Sequence, residues 1–253
     1  MFEMSETELI PRFQELLGPV RLNAFARLMD RAMALSYALS GKRRYDAYRL
    51  EQVRGARFIV MPTVFNPKLP RTGAFLASVV DAPSIADETE VLDMGTGSGV
   101  CAVLAARHAR RVVAVDINPE AARCAQINAL LNHVEHRIEV RCGDLFAPVA
   151  GERFDLVLFN PPFLQGKPRD HRDTAWRSSD VADRFAAGLR GHLKPGGYAL
   201  VVLSTFGDAR VFLEQFHHQR LAVRIHAEQR FINERLMIFR LIPLDPIDGT
   251  GHA

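Results

Sequence analysis

Apolar residues recur along this chain in two rhythms, and the change from one to the other divides it. From about Glu6 to Tyr48 they return at helical spacing, with Phe25, Leu28, Met29, Met33, Leu35 and Leu39 on that period and a break at Gly18-Pro19. This stretch predicts a small helical cap. From Arg57 the period changes, and Phe58-Ile59-Val60 and Thr63-Val64-Phe65 read as short extended pieces around Pro62, which disfavours continuous helix. Gly73 to Val80 is helical in character before a loop at Pro83. Beyond it, near-continuous apolar runs alternate with helical segments. Glu90 to Asp93, Arg111 to Asp116, Ile138 to Val140, Phe154 to Phe159 and Tyr198 to Leu203 read as strands, and Val100 and Pro119 open helices. Such runs predict an α/β fold, a parallel sheet covered on both faces. Ligands in these sheets sit beyond the carboxyl ends of the strands.

Local punctuation agrees with this outline. Asn118 can cap the helix that Pro119 starts, where a missing N–H costs little. Lys194-Pro195-Gly196-Gly197 ends another helix and turns into the next strand. Ala222 to Ala227 and Leu236 to Leu241 predict a closing hairpin at the sheet edge. The resulting division is a helical cap over 1–56, an α/β domain over 57–245 and a tail over 246–253.

Composition adds limits. The 253 residues are 48% hydrophobic and 24% charged, with mean hydropathy −0.03, the balance of an ordinary soluble protein. No run approaches the roughly 18 apolar residues of a membrane span. The acidic start, Met1 to Glu6, lacks the basic and apolar regions of a secretory signal, so a cytoplasmic location without membrane contact is expected. Cys101, Cys124 and Cys142 form no C-x-x-C pair and read as reduced, packed thiols. His133, His136, His217 and His218 read as surface residues at helix ends, and no metal site is expected. The net charge of +3 suits nucleic acid as well as many other partners, and decides nothing. Lys42-Arg43-Arg44-Tyr45 reads as a solvated helix end. Lys167, Arg169, His171 and Arg172 read as a loop that could cover a site or contact phosphate.

Two turns carry candidate chemistry. Asp93-Met94-Gly95-Thr96-Gly97-Ser98-Gly99 lies between a strand and a helix, the setting of a nucleotide fingerprint. The third glycine of the dinucleotide pattern is replaced by Val100, and no lysine follows. Pyrophosphate is therefore disfavoured, and with it a nicotinamide-dependent oxidoreductase. A phosphate-free zwitterion such as S-adenosylmethionine fits the turn and its carboxylate better. Asp116 ends the next strand, where an acid can accept both ribose hydroxyls. Asp144 and Leu145 follow the third strand and could meet the adenine amino group and ring. The second turn, Asn160-Pro161-Pro162-Phe163, is stiff and presents carbonyl oxygens. Asn160 and Pro161 could accept both N–H bonds of an amide or exocyclic amine while Phe163 stacks on its plane.

These motifs resemble the S-adenosylmethionine-dependent N-methyltransferases that act on glutamine side chains or on adenine or guanine amino groups. The resemblance is closest to the HemK-like protein-glutamine N5-methyltransferases. Val64-Phe65-Asn66-Pro67 with Thr72, then Trp176, Leu193 to Gly197 and Glu234 to Arg240 also look related, so the likeness spans about 58 to 242. It implies a Rossmann-like seven-stranded class I methyltransferase sheet behind the helical cap. It further implies a cofactor site of Thr72, Asp93, Gly95, Thr96, Gly97, Asp116, Ile117, Asp144, Leu145 and Asn160. The acceptor site would be Asn160, Pro161, Pro162 and Phe163. Phe163 stands where glutamine-modifying members usually carry tyrosine and ribosomal guanine N2-methyltransferases also carry phenylalanine. Lys68, Pro70 and Arg71 replace the acids common before Thr72, and Arg177-Ser178-Ser179 replaces glycines. The acceptor thus stays open between a protein glutamine, an RNA base and a small nitrogenous metabolite. A cofactor-binding module without catalysis is the alternative from another class.

Overall fold

The computed structural model describes residues 47–64, 66, 71–80, 85–162, 164–166, 177–205, 207, 209–232 and 234–244. Residues 1–46 of the expected cap with its basic run, the expected tail over 246–253, Phe65, Pro67, Lys68, Pro70, the loop at Pro83, Phe163 and the loop 167–176 with Trp176 lie outside these residues.

Five strands form the parallel core of a seven-stranded sheet: β3 (Glu90–Met94), β4 (Arg111–Asp116), β5 (Ile138–Cys142), β6 (Phe154–Phe159) and β9 (Leu193–Ser204). The edge hairpin of β10 (Leu221–Arg230) and β11 (Arg235–Pro243) completes the order β10-β11-β9-β6-β3-β4-β5, with β11 antiparallel to β9. Between them run α1 (Arg71–Val80), α2 (Val100–Ala105), α3 (Pro119–Leu131), α4 (Val181–Leu189) and α5 (Ala209–His218). Successive strand residues face opposite sides of a sheet, so a strand covered on both must be apolar throughout. Leu92, Val113, Val157 and Val201 pack with Phe185, Phe212 and Phe216 on one face. Val91, Ala114, Leu156 and Leu200 pack with Leu76, Val103 and Leu104 on the other. The Phe185 ring stacks on Phe159 at 4.3 Å between centroids, which anchors the strand end that leads into Asn160.

The helix start at Asn118 forms as its sequence suggests: the side chain accepts from Glu120 N–H at 3.0 Å and Pro119 occupies the first turn. Elsewhere the structure departs from expectation. Residues 49–56, assigned to the helical cap, belong to a hairpin of β1 (Arg49–Val53) and β2 (Ala56–Val60). Its two-residue turn has φ of 50° at Arg54 and 77° at Gly55, the left-handed pair that matches strand twist. Asn128, fully buried on α3, fastens this hairpin to the domain. Its side chain accepts from Ile59 N–H at 2.8 Å and donates to Ile59 O at 2.7 Å and Ser98 O at 2.8 Å. Thr63 and Val64 are not extended but lie in a turn, with Val64 N–H on Met61 O at 3.2 Å. Lys194 to Gly197 falls within β9, where the pairing jumps from Phe154–Leu193 to Leu156–Tyr198. Cys101 and Cys124 are buried thiols, whereas Cys142 is exposed rather than packed. His133, His136, His217 and His218 are exposed. Among the described residues no helix is long and apolar enough to cross a membrane.

Candidate active site

Gly95, Gly97 and Gly99 all have positive φ, at 66°, 55° and 80°, so the turn after β3 needs glycine for its backbone alone. A Cβ at Gly97 would meet nothing within 4 Å, whereas one at Gly95 would touch the Phe159 ring at 3.6 Å. At Gly99 it would stand 2.9 Å from Ala125 Cα, so this glycine lets the turn press against α3. The close packing that a dinucleotide fold assigns to its third glycine is thus performed one residue earlier. Gly99→Ala combines a left-handed backbone with a clash and is expected to cost about 2–4 kcal/mol, lowering Tm by roughly 5–15 °C. A thermal melt checks this, and an unchanged Tm would refute it.

Asp93 closes the turn from below. Its Oδ2 accepts from Thr96 Oγ1 at 2.6 Å and Ala102 N–H at 3.0 Å. The Thr96 hydroxyl is thereby committed to bracing the turn. Burial raises the Asp93 carboxyl to about 7; these two bonds oppose the rise and the Asp116 charge adds to it. The folded protein therefore holds a proton there that the unfolded chain, titrating near 3.8, has released. The stability this proton confers is complete below about pH 4, declines as pH rises, and is gone above about 7. Asp93→Asn keeps an acceptor for Thr96 and Ala102, and its urea midpoint is expected to fall less between pH 5 and 8 than that of the wild type. Equal slopes would refute the assignment.

Asp116 ends β4 with a donor on each carboxylate oxygen: Gly97 N–H on Oδ2 at 2.8 Å and Asn118 N–H on Oδ1 at 2.9 Å. Burial raises its pKa, and the two N–H groups oppose that. Each oxygen keeps lone pairs for further donors. Beyond β5, the Asp144 carboxylate pairs with the guanidinium of Arg184 on α4. Leu145, at φ 45°, packs against the core beside it.

These groups line one cavity of about 300 Å³, a volume within the range of small-molecule pockets. The lining includes Asp93, Gly95, Thr96, Gly97, Asp116, Ile117, Asp144 and Leu145 from the predicted cofactor set, and Asn160, Pro161 and Pro162 from the acceptor turn. Thr72 is buried on α1 outside this lining, with Gly73 in its place. A two-residue parallel pairing of β7 (Leu164–Gln165) with β8 (Arg177–Ser178) returns the chain to the cavity, where Ser178, Ser179 and Asp180 join its wall. Thr63 and Arg184 also line it and were not singled out from the sequence. Arg184 pairs locally with Asp180, four residues earlier, at 3.5 Å, but its link to the cavity runs through Asp144, 40 positions away.

The arrangement selects its ligand by charge. Four carboxyl groups line the cavity: Arg184 offsets Asp144 and Asp180, Asp93 is raised to about 7 by burial, and Asp116 has no cation beside it, a balance that disfavours phosphate and favours hydroxyl, amine and cationic groups. An adenosine with a zwitterionic amino acid end fits: Asp116 can take ribose hydroxyls, Gly97 leaves room beside it, and Ile117, half exposed, offers an apolar wall. On the acceptor side, Asn160 Oδ1 is buried with no hydrogen-bond partner among the described residues. Such an oxygen carries a cost that an incoming N–H removes. Among the described residues no cluster of metal-ligating side chains occurs.

Comparison with known proteins agrees with this reading. Residues 55–231 match the model of the methyltransferase small domain. The release factor glutamine methyltransferase of Koribacter versatilis is 35% identical over 167 residues, covering 60% of this chain and 59% of that protein, so the chain spans less than two thirds of this relative. The release factor glutamine methyltransferase of Moorella thermoacetica is 31% identical over 227 residues, covering 81% and 76%. Among solved structures, the 16S rRNA N2 G1207 methyltransferase of T. thermophilus, in complex with AdoMet and guanosine, shares the fold with a TM-score of 0.58 at 22% identity, over 76% of this chain and 49% of that one. The family match begins in the β1–β2 turn and ends at the tip of the edge hairpin, enclosing the whole cavity. On that extent the chain belongs to the methyltransferase small domain family, and the likeness to solved structures gives it the class I S-adenosylmethionine-dependent methyltransferase fold.

Proposed function

We propose that the chain transfers the methyl group of S-adenosylmethionine to a planar amide or amino nitrogen, with a protein glutamine as the leading acceptor. The carrying observation is that Asn160, whose buried Oδ1 has no partner among the described residues, lines the cavity that also holds Asp116. Bound S-adenosylmethionine supplies an electrophilic methyl group on a sulfonium. Asn160 Oδ1 and the Pro161 carbonyl accept the two N–H protons of the acceptor and turn its lone pair out of conjugation. Carbonyl dipoles fixed by two prolines need no reorganisation as positive charge develops on nitrogen. Rigid placement of the nitrogen supplies the remaining acceleration. The nitrogen lone pair forms the new C–N bond as the C–S pair leaves on the thioether, and the cationic product then sheds one N–H proton to solvent, so no titratable base is required at the turn.

The glutamine reading is supported by the two release factor methyltransferases, whose acceptor also favours a cytoplasmic setting. A second reading, a guanine or adenine amino group of RNA, is supported by Phe163 and by the guanosine-bound neighbour. Labelled methyl transfer into cell extract separates them. Protease-sensitive label is expected, nuclease-sensitive label would move the acceptor to RNA, and no transfer by protein that binds the cofactor would leave a silent binding module. The domain division is proposed with one change, a catalytic domain that starts at the β1–β2 hairpin behind the helical cap.

A further inference from the structure

Thr63 has two properties that the fold does not require. Its φ is 73°, a left-handed conformation that β-branched residues rarely adopt. Its Oγ1 is buried with no hydrogen-bond partner among the described residues. Strain of this kind persists only where the surroundings enforce it, and it gathers at ligand sites. Here the surroundings are the cofactor cavity, which Thr63 lines together with Asp116, Ile117 and Asn118. The Asn118 side chain reaches the Thr63 carbonyl at 3.5 Å, and Asn118 N–H holds Asp116 Oδ1 at 2.9 Å. Thr63 is thus tied to the strand end that carries the proposed ribose carboxylate.

The chemistry of the two groups is complementary. A carboxylate only accepts, so a ribose that gives its hydroxyl protons to Asp116 keeps lone pairs on its oxygens without donors. A threonine hydroxyl can supply one, and rotation about χ1 moves Oγ1 among staggered positions at little cost. Resting on the cofactor reading above, we infer that the Thr63 hydroxyl donates a hydrogen bond to a ribose oxygen of the bound nucleoside, and that the strained turn is what places it there.

Calorimetric titration with S-adenosylhomocysteine and with methylthioadenosine, which lacks the amino acid end, tests this on Thr63→Ser, Thr63→Val and Thr63→Gly. Serine keeps the hydroxyl and should bind both ligands within about twofold of the wild type. Valine keeps the branched shape and should lose roughly three- to tenfold for both, the effect of one neutral hydrogen bond. Glycine should lose as much affinity while its ligand-free Tm stays level or rises, because glycine adopts positive φ without strain. A residue that only shapes the turn would not separate affinity from stability in this way. Wild-type affinity in the valine and glycine variants would overturn the inference, as would a loss confined to S-adenosylhomocysteine. A wild type that binds neither ligand would instead overturn the cofactor reading, and the inference with it.

Discussion

Replacing Asn160 by alanine is expected to lower methyl transfer by about 10²–10³-fold, the range seen when one preorganised partner of a developing charge is removed. Affinity for S-adenosylhomocysteine should stay within about twofold, because Asn160, which family likeness counts in both sites, acts chiefly on the acceptor nitrogen while Asp116 and the glycine turn hold the nucleoside. The two prolines that follow still fix the turn, and Phe159 remains stacked on Phe185, so the strand end keeps its position. The variant also removes a buried oxygen that has no partner, so its ligand-free Tm should hold or rise. Single-turnover rates, calorimetry and a melt together make the check. Normal turnover in Asn160→Ala would sink the proposed role.

Asp116→Ala is expected to weaken cofactor binding by about 100-fold or more, since it removes two charge-assisted hydrogen bonds to the ribose. It also leaves Gly97 N–H and Asn118 N–H without their acceptor, so part of the loss reflects a loosened glycine turn. Asp116→Asn is no gentle alternative. Each carboxylate oxygen faces a backbone N–H, so the amide nitrogen meets a donor whichever way it is turned, and the loss should approach that of alanine. Unchanged calorimetric affinity in the alanine variant would refute the assignment.

The sheet and its two turns were legible because buried parallel strands must be apolar on both faces, and because the glycine and proline turns follow from backbone geometry. The edge hairpin was legible for a related reason: Leu236 to Leu241 is buried almost throughout and so reads as a strand. The β1 strand was not. Of its five residues only Val53 is buried, and Leu50 is 66% exposed, so no alternating apolar face marks it. The Thr63 turn was missed because a β-branched residue ordinarily argues for extended backbone, which here gives way to the surrounding cavity. Arg184 was hidden because its pairing with Asp144 is made by the packing of α4 over the sheet. Thr72 came from family likeness rather than from spacing, and the structure places it behind the cavity wall.

The Asn128 side chain is the most fully used of the few side chains that join the leading hairpin to the domain. A neighbouring strand would grip β2 through many backbone bonds and could be undone only by redesigning the ladder. Here one amide pairs with both polar groups of Ile59 and holds Ser98 with its remaining hydrogen. Exchange of the leading hairpin for that of another family member would therefore transplant cleanly only if the incoming strand offers a residue in the register of Ile59. A partner that pulls on the hairpin would load that amide together with the Asn132 side chain, which donates to Arg57 O at 2.8 Å, and the Asn128 branch leads into the glycine turn, 30 residues back along the chain.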